Sequence, residues 1–121
     1  EGAGGWRVPL GGGLWMRDLA VATGGPCIVV AADRIGVLNH TLLTVQAIQS
    51  DGLQVLGVVL NQGLSAPGDP SVRSNLDDLR DLLDVPIAPL PRVTDAPAGP
   101  PQWEDVGKAL WHTLGVIRSA P

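Results

Sequence analysis

Two short apolar runs, separated by one stretch of helical spacing, constrain the fold of this chain more than any other feature. The runs are Cys27–Ala32 and Gln54–Leu60, and such continuous apolar segments are typical of parallel strands that are covered on both faces. Between them, Val37–Ser50 carries apolar residues at helical spacing and ends at Asp51-Gly52, where glycine favours the left-handed conformation of a helix end. Strand, helix and strand together predict a βαβ unit.

The flanking segments continue this α/β pattern. They predict a helix over 15–23, a helix over 69–83, a third strand at Ile87–Leu90 and a last helix from Trp103 onward. Asp69-Pro70 is a typical helix start, and Leu79 and Leu82 are expected to face inward. Because two or three parallel strands leave an open sheet edge, we expect an N-terminal half or a partner chain to supply further strands.

Composition and charge exclude several classes of function. The chain has 121 residues, a net charge of −4 and eight scattered Lys and Arg residues, which makes a nucleic-acid partner improbable. No apolar run is long enough to span a membrane. The single Cys27 fits a reducing compartment or simple indifference to redox, and a cytoplasmic location is expected. The chain opens without Met, within the glycine-rich run 1–5. We therefore expect a fragment, a processed product or one part of a split protein.

Ligands of open α/β sheets bind beyond the carboxyl ends of the strands, which selects four loops. These loops are residues 1–5, 33–39, 61–65 and 90–94. In the first loop, the Glu1 carboxylate can hold Mg²⁺ while the glycine amides approach a phosphate. A flexible glycine turn with a solvated Glu is the alternative interpretation.

The next two loops offer candidates for anion and base recognition. Gly36–Asn39 begins a helix directly after a buried strand, so its free amides suit an anion such as a carboxylate. Asn61 ends a strand, and its amide suits the edge of a purine. Asn39 and Asn61 are alternatively ordinary first-turn and turn residues. His40 and Cys27 are expected to be structural, since no nucleophile or metal partner lies near them in the sequence.

Six motifs in order resemble dethiobiotin synthetase. They are Glu-Gly-Ala-Gly-Gly-Trp-x-Val-Pro-Leu at 1–10, Asp-Leu-Ala at 18–20, Pro-Cys-Ile-Val-Val at 26–30, Gly-Val-Leu-Asn-His-Thr-Leu-Leu-Thr at 36–44, Gly-Val-Val-Leu-Asn at 57–61 and Leu-Pro at 90–91. The resemblance implies a three-layer P-loop NTPase-like α/β fold with a mainly parallel sheet. Residues 1–121 would form the C-terminal part of one such domain.

The resemblance also implies a function and a set of roles. The family forms homodimers and uses ATP and Mg²⁺ to close the ureido ring of dethiobiotin from 7,8-diaminononanoate and CO₂. By resemblance, Glu1 is the Mg²⁺ ligand, and the substrate's carboxylate is held across the dimer interface. The implied nucleotide-binding residues are Glu1, Gly2, Ala3, Gly4, Asn61, Gln62, Leu90, Pro91 and Arg92, and the implied carboxylate-binding residues are Gly36, Val37, Leu38 and Asn39.

One departure from the family is large. In the family, the phosphate-binding lysine and threonine, the second catalytic lysine and another metal-binding aspartate are expected upstream of the position where this chain begins, and Lys108 is the only lysine here. The chain alone is therefore expected to be inactive and to need a P-loop-containing half. The alternatives are a P-loop amide-forming enzyme of the cobyrinic acid a,c-diamide synthase type, a non-catalytic dimerisation or nucleotide-binding module and, less well matched, a partition-type ATPase.

Overall fold

Three parallel strands form the centre of the described structure. The computed structural model describes residues 2, 4–64, 68–92 and 101–115. An antiparallel hairpin of β1 (Pro9–Gly11) and β2 (Leu14–Trp15) leads into helix α1 (Met16–Thr23). The chain continues through β3 (Cys27–Ala32), α2 (Val37–Ser50), β4 (Val55–Asn61), α3 (Asn75–Leu82), β5 (Ile87–Leu90) and α4 (Pro101–Thr113). The sheet order is β3-β4-β5, all parallel, as the apolar runs predict.

Helices cover both faces of this sheet. The larger core packs β3, β4 and β5 against α2 and α3, with Val58, Leu60 and Leu79 fully buried. On the other face, Leu110 and Leu114, at the end of α4, pack against Val59 and Ala88. The layers are therefore helix, sheet and helix, which matches the expected three-layer arrangement.

The segment after β4 differs from the single helix that the sequence predicts. Asp69 does act as a cap, because its side chain accepts a hydrogen bond from the Ser71 amide, but it begins a 3₁₀ turn over Pro70–Arg73. The α-helix starts only at Asn75. Leu79 is buried as expected, whereas the prediction for Leu82 is wrong, since it is 53% exposed. The helix ends at Leu82, and the next residue, Leu83, adopts an extended conformation and packs partly buried against the core in its place.

Both outer edges of the sheet lack a strand among the described residues. β3 and β5 each pair only with β4 there. One face of β3 is also uncovered at Val30, whose side chain is 66% exposed although its neighbours in the strand are partly or fully covered. The open edge that the strand count predicts is thus present at β3.

Candidate functional site

The register of the sheet brings the carboxyl ends of its three strands to one level. Ala32 pairs with Asn61, and Asn61 pairs with Leu90. The Asp33 amide extends this alignment by donating to the Asn61 carbonyl oxygen at 3.0 Å. The loops that follow the strands therefore meet along one edge, as the topological rule for α/β sheets predicts.

Asn61 and Gln62 lie beside residues 90–92 at this edge. Asn61 Oδ1 accepts a hydrogen bond from the Gly63 amide at 2.9 Å, which closes a tight turn over Gln62–Leu64. Arg92 donates to the Gly63 carbonyl oxygen at 3.3 Å and so joins the two loops. Asn61 keeps its Nδ2 donor and a lone pair on Oδ1, a pairing that suits the edge of an adenine.

The first turn of α2 presents free amides at the same edge. Gly36 has a φ of 89°, which brings the chain sharply into the helix. The Val37 amide donates to the Arg34 carbonyl oxygen at 3.1 Å, and the Val37 side chain is buried. Among the described residues, the amides of Leu38 and Asn39 have no acceptor. They give this helix end the capacity to hold an anion, with the exposed Asn39 side chain close by.

The described residues of the glycine-rich segment 1–5 include Gly4 and Gly5, which lie across a cleft from β3. Glu1 and Ala3 fall outside the described residues, so the predicted Mg²⁺ ligand has no geometry here. Gly4 has a φ of 87°, and a Cβ there would lie 2.8 Å from Val8 Cγ2, so the turn needs glycine. A cleft of about 250 Å³ separates Gly4 and Gly5 from β3 and the side of α2 that carries Thr41.

A cluster of three side chains anchors this segment to the end of α2. Asp51 Oδ2 accepts hydrogen bonds from Trp6 Nε1 at 2.7 Å and from Arg17 Nε at 2.9 Å, and Arg17 also donates to Oδ1. The hydrogen bonds from Arg17, and then that from Trp6, lower the pKa of Asp51 from 3.8 to about 2. Sequence reasoning missed this cluster because its members lie up to 45 residues apart.

A second polar cluster lies next to the N-terminal end of α2, and sequence reasoning missed it as well. Asp33 is fully buried, and its Oδ1 accepts a hydrogen bond from Asn75 Nδ2 at 2.8 Å. Asp69 Oδ2 accepts from the Ile35 amide at 2.9 Å, while its Oδ1 accepts from both the amide and the hydroxyl of Ser71. These bonds lower the pKa of Asp69, the Ser71 hydroxyl contributing most. The sequence did offer one signal for this cluster, because the acidic Asp33 directly follows the apolar strand β3.

The predicted structural role fits Cys27, whereas the exposed His40 lines the cleft beside Gly4 and Gly5. Cys27 is half-buried, and burial raises the pKa of its thiol, which disfavours the nucleophilic thiolate. Within the described ranges, no three His, Cys, Asp or Glu side chains come together as a metal site would require. No helix in the described part of the chain has both the length and the apolar character needed to cross a membrane.

Comparison with known proteins identifies the family. A family model described as an AAA domain matches residues 1–96. The chain belongs to this family, and its predicted P-loop NTPase-like α/β class with a parallel sheet is confirmed.

The similar proteins within this family are dethiobiotin synthetases. The chain is 42% identical over 97 residues to the ATP-dependent dethiobiotin synthetase of Pseudomonas paraeruginosa, a match that covers 79% of this chain and 42% of the relative. It is 37% identical over 116 residues to that of Rhodococcus erythropolis, covering 95% and 49%, and 47% identical over 92 residues to that of Anaeromyxobacter sp., covering 75% and 41%. The resemblance to dethiobiotin synthetase is therefore confirmed, and the chain spans less than half the length of these relatives.

Proposed function

We propose that this chain is the C-terminal part of an ATP- and Mg²⁺-dependent dethiobiotin synthetase of biotin biosynthesis. The observation that carries the proposal is the meeting of Asn61 and Gln62 with residues 90–92 in a chain 42% identical to such a synthetase. The same strand ends lie next to the anion-binding turn of α2. A nucleotide site and a carboxylate site on one edge match an enzyme that uses ATP to activate a substrate that carries a carboxylate.

The proposed reaction proceeds in three steps. One amine of 7,8-diaminononanoate attacks CO₂ and forms a carbamate. A carbamate oxygen then attacks the γ-phosphorus of ATP, and ADP leaves. Finally, the second amine attacks the carbamate carbon and expels phosphate, which closes the ring without any change in oxidation state.

This chain contributes recognition and positioning to that reaction. Asn61, Gln62 and residues 90–92 bind the adenine, while Gly2, Ala3 and Gly4 line the phosphates. Gly36–Asn39 binds the substrate's carboxylate through backbone amides, with the donors coming from Leu38 and Asn39. Glu1 would hold Mg²⁺, which supplies positive charge next to the phosphates. A carboxylate is the donor that Mg²⁺ prefers, so the residue type fits.

The phosphoryl-transfer machinery comes from a P-loop-containing segment that we expect to complete the fold. Among the described residues β3 pairs only with β4, and the cleft between β3 and residues 4–5 leaves room for a further strand, which supports this expectation. We therefore expect this chain to be inactive alone, and the complete enzyme to be a cytoplasmic homodimer with the carboxylate site at its interface.

Two substitutions test this assignment, because each is expected to weaken the binding of a different substrate. In the assembled enzyme, Asn61→Ala is expected to raise the KM for ATP, because a purine edge that loses its partner costs about 1–3 kcal/mol. Asn39→Ala is expected to raise the KM for 7,8-diaminononanoate more than that for ATP, because it removes the side-chain donor that lies beside the free amides of the turn. Steady-state kinetics of dethiobiotin formation measures both effects.

Each variant serves as the control for the other. An unchanged KM for ATP in the Asn61 variant would exclude the adenine assignment. Equal effects of Asn39→Ala on both substrates would exclude the carboxylate assignment. If the assembled enzyme formed no dethiobiotin from ATP, the diamine and CO₂, the function itself would be wrong.

A further inference from the structure

We infer that Asp33 and Asn75 are positioning residues that hold the anion-binding turn of α2 in place and thereby set the enzyme's selectivity for a carboxylated diamine. This inference rests on the proposed function and assigns to it two residues that the nucleotide and carboxylate sites do not include. Neither residue touches a substrate in this account, and both act through residues 33–36.

The burial of Asp33 first indicates a role beyond packing. Its side chain is fully buried, and Oδ2 has no hydrogen-bond partner among the described residues. A buried carboxyl group with an unsatisfied oxygen costs free energy, and an apolar residue of similar size would avoid that cost. The one hydrogen bond that the Asp33 side chain makes among the described residues, from Asn75 Nδ2 to Oδ1, joins the end of β3 to the start of α3.

The remaining hydrogen bonds of this cluster link Asn75, through Ser71 and Asp69, back to Ile35. Asn75 Nδ2 also lies 3.3 Å from Ser71 Oγ, and Ser71 is bound by the Asp69 carboxylate. Asp69 in turn accepts from the Ile35 amide. Residues 33 and 35 are therefore each held from the same segment, 69–75, and Gly36 follows directly with its positive φ.

This connection fixes where the free amides of α2 point. The segment 33–36 has few alternative anchors, because Arg34, Ile35 and Gly36 are exposed, and Ile35 is 77% exposed. The Asp33 amide bonds to the Asn61 carbonyl oxygen through the backbone, so that link survives any change of the Asp33 side chain. Loss of the Asp33–Asn75 bond should therefore disturb the carboxylate site and leave the adenine site intact.

The test compares Asp33→Ala, Asn75→Ala and Asp33→Asn in the assembled enzyme. The asparagine variant keeps an Oδ1 acceptor for Asn75 and removes the carboxylate, so it is the matched control. We expect both alanine variants to raise the KM for 7,8-diaminononanoate about fivefold or more, with the KM for ATP changed less than about twofold. Asp33→Asn is expected to stay close to wild type.

A substrate without the carboxylate separates positioning from general damage. For the corresponding 1,2-diamine that lacks this group, the alanine variants should match wild type in kcat/KM, because nothing binds the turn. A loss of kcat/KM equal to that seen with the carboxylated substrate would overturn the inference. So would an Asp33→Asn enzyme as impaired as Asp33→Ala, since the charge and not the hydrogen bond would then matter.

Amide hydrogen exchange of this chain tests the inference without relying on catalysis. Asp33→Ala and Asn75→Ala should speed exchange at the hydrogen-bonded amides of Ile35 and Val37 relative to wild type, while Asp33→Asn should not. Unchanged exchange in both alanine variants would overturn the inference even in an active enzyme. A wild-type enzyme without ring-closing activity would instead refute the proposed function, and the exchange result would still decide the role of the pair.

Discussion

At the scale of single residues, the structure adds to the sequence the polar contacts that hold the predicted binding segments. The Asp51 carboxylate shows this most clearly, because it accepts bonds from Trp6 and from Arg17. Trp6 directly follows the glycine-rich segment, so the cluster fixes the end of that segment against α2. Its contribution to stability depends on the ionised form of Asp51.

The pH dependence of stability follows from the lowered pKa of Asp51. In the folded chain this pKa is about 2, below its ordinary value of 3.8. The stabilisation is therefore fully present above about pH 4 and is lost as pH falls towards 2. We expect Asp51→Asn to reduce the free energy of unfolding at pH 7, and the difference from wild type to shrink between pH 4 and pH 2 in denaturant titrations.

Asp81→Asn is the matched control for this prediction. Asp81 is exposed on α3 and forms no ion pair within the described part of the chain. Its variant should unfold like wild type at pH 7. A stability difference for Asp51→Asn that stays constant down to pH 2 would show that the cluster does not stabilise the fold through the Asp51 charge.

Residue-level prediction from sequence succeeded where position in a strand was sufficient. Asn61 was found because it ends an apolar run, and the register with Leu90 confirms that it lies at the expected edge. Asp33 and Asn75 were missed as a pair because 42 residues separate them, and only the packing of α3 beside α2 brings them together. Long-range polar contacts of this kind leave no periodic signal in the sequence.

At the scale of elements, apolar runs and helical spacing predicted β3, α2, β4 and β5 within about a residue. Burial explains this success, because each of these elements needs an apolar face for the core. The break between the 3₁₀ turn Pro70–Arg73 and α3 was missed. There the Asp69 and Asn75 side chains bind residues of the loop after β3, which is a tertiary effect that overrides local helix preference.

The packing of α4 on the sheet depends on a glycine in β4. A Cβ at Gly57 would lie 2.6 Å from the Pro86 carbonyl oxygen and would also overlap Leu114 Cδ2. Since the backbone atom cannot move away cheaply, Gly57→Ala is expected to lower the free energy of unfolding by about 1–3 kcal/mol. Denaturant unfolding followed by circular dichroism measures this change.

Gly107→Ala is the control within α4. A Cβ there meets no atom within 4 Å, and the residue lies inside the helix. Alanine should therefore raise stability by roughly 0.5–1 kcal/mol, as expected for removal of a helical glycine. If Gly57→Ala were as stable as wild type, Leu114 and the Pro86 carbonyl group would not lie as close to Gly57 as the structure shows.

At the scale of the whole molecule, the sheet is the predicted α/β arrangement, and within the described ranges its edge strand β3 pairs only with β4. Sequence analysis predicted this open edge from the number of strands. The size and place of the cleft beside Gly4 and Gly5 could not be predicted, because its walls come from segments that are distant in the sequence, namely residues 4–5, β3 and the first half of α2. An edge of this kind is the structural reason for proposing a P-loop-containing partner segment.

The most direct test of the account is a calorimetric titration of ATP–Mg²⁺ into this chain, alone and together with a separately expressed P-loop segment of a dethiobiotin synthetase. We expect saturable nucleotide binding and dethiobiotin formation only in the mixture, because the adenine-binding and phosphate-binding groups are then combined. Asn61→Ala in the same mixture should bind ATP more weakly. Failure of the two parts to associate, with no nucleotide binding in either titration, would contradict the proposal.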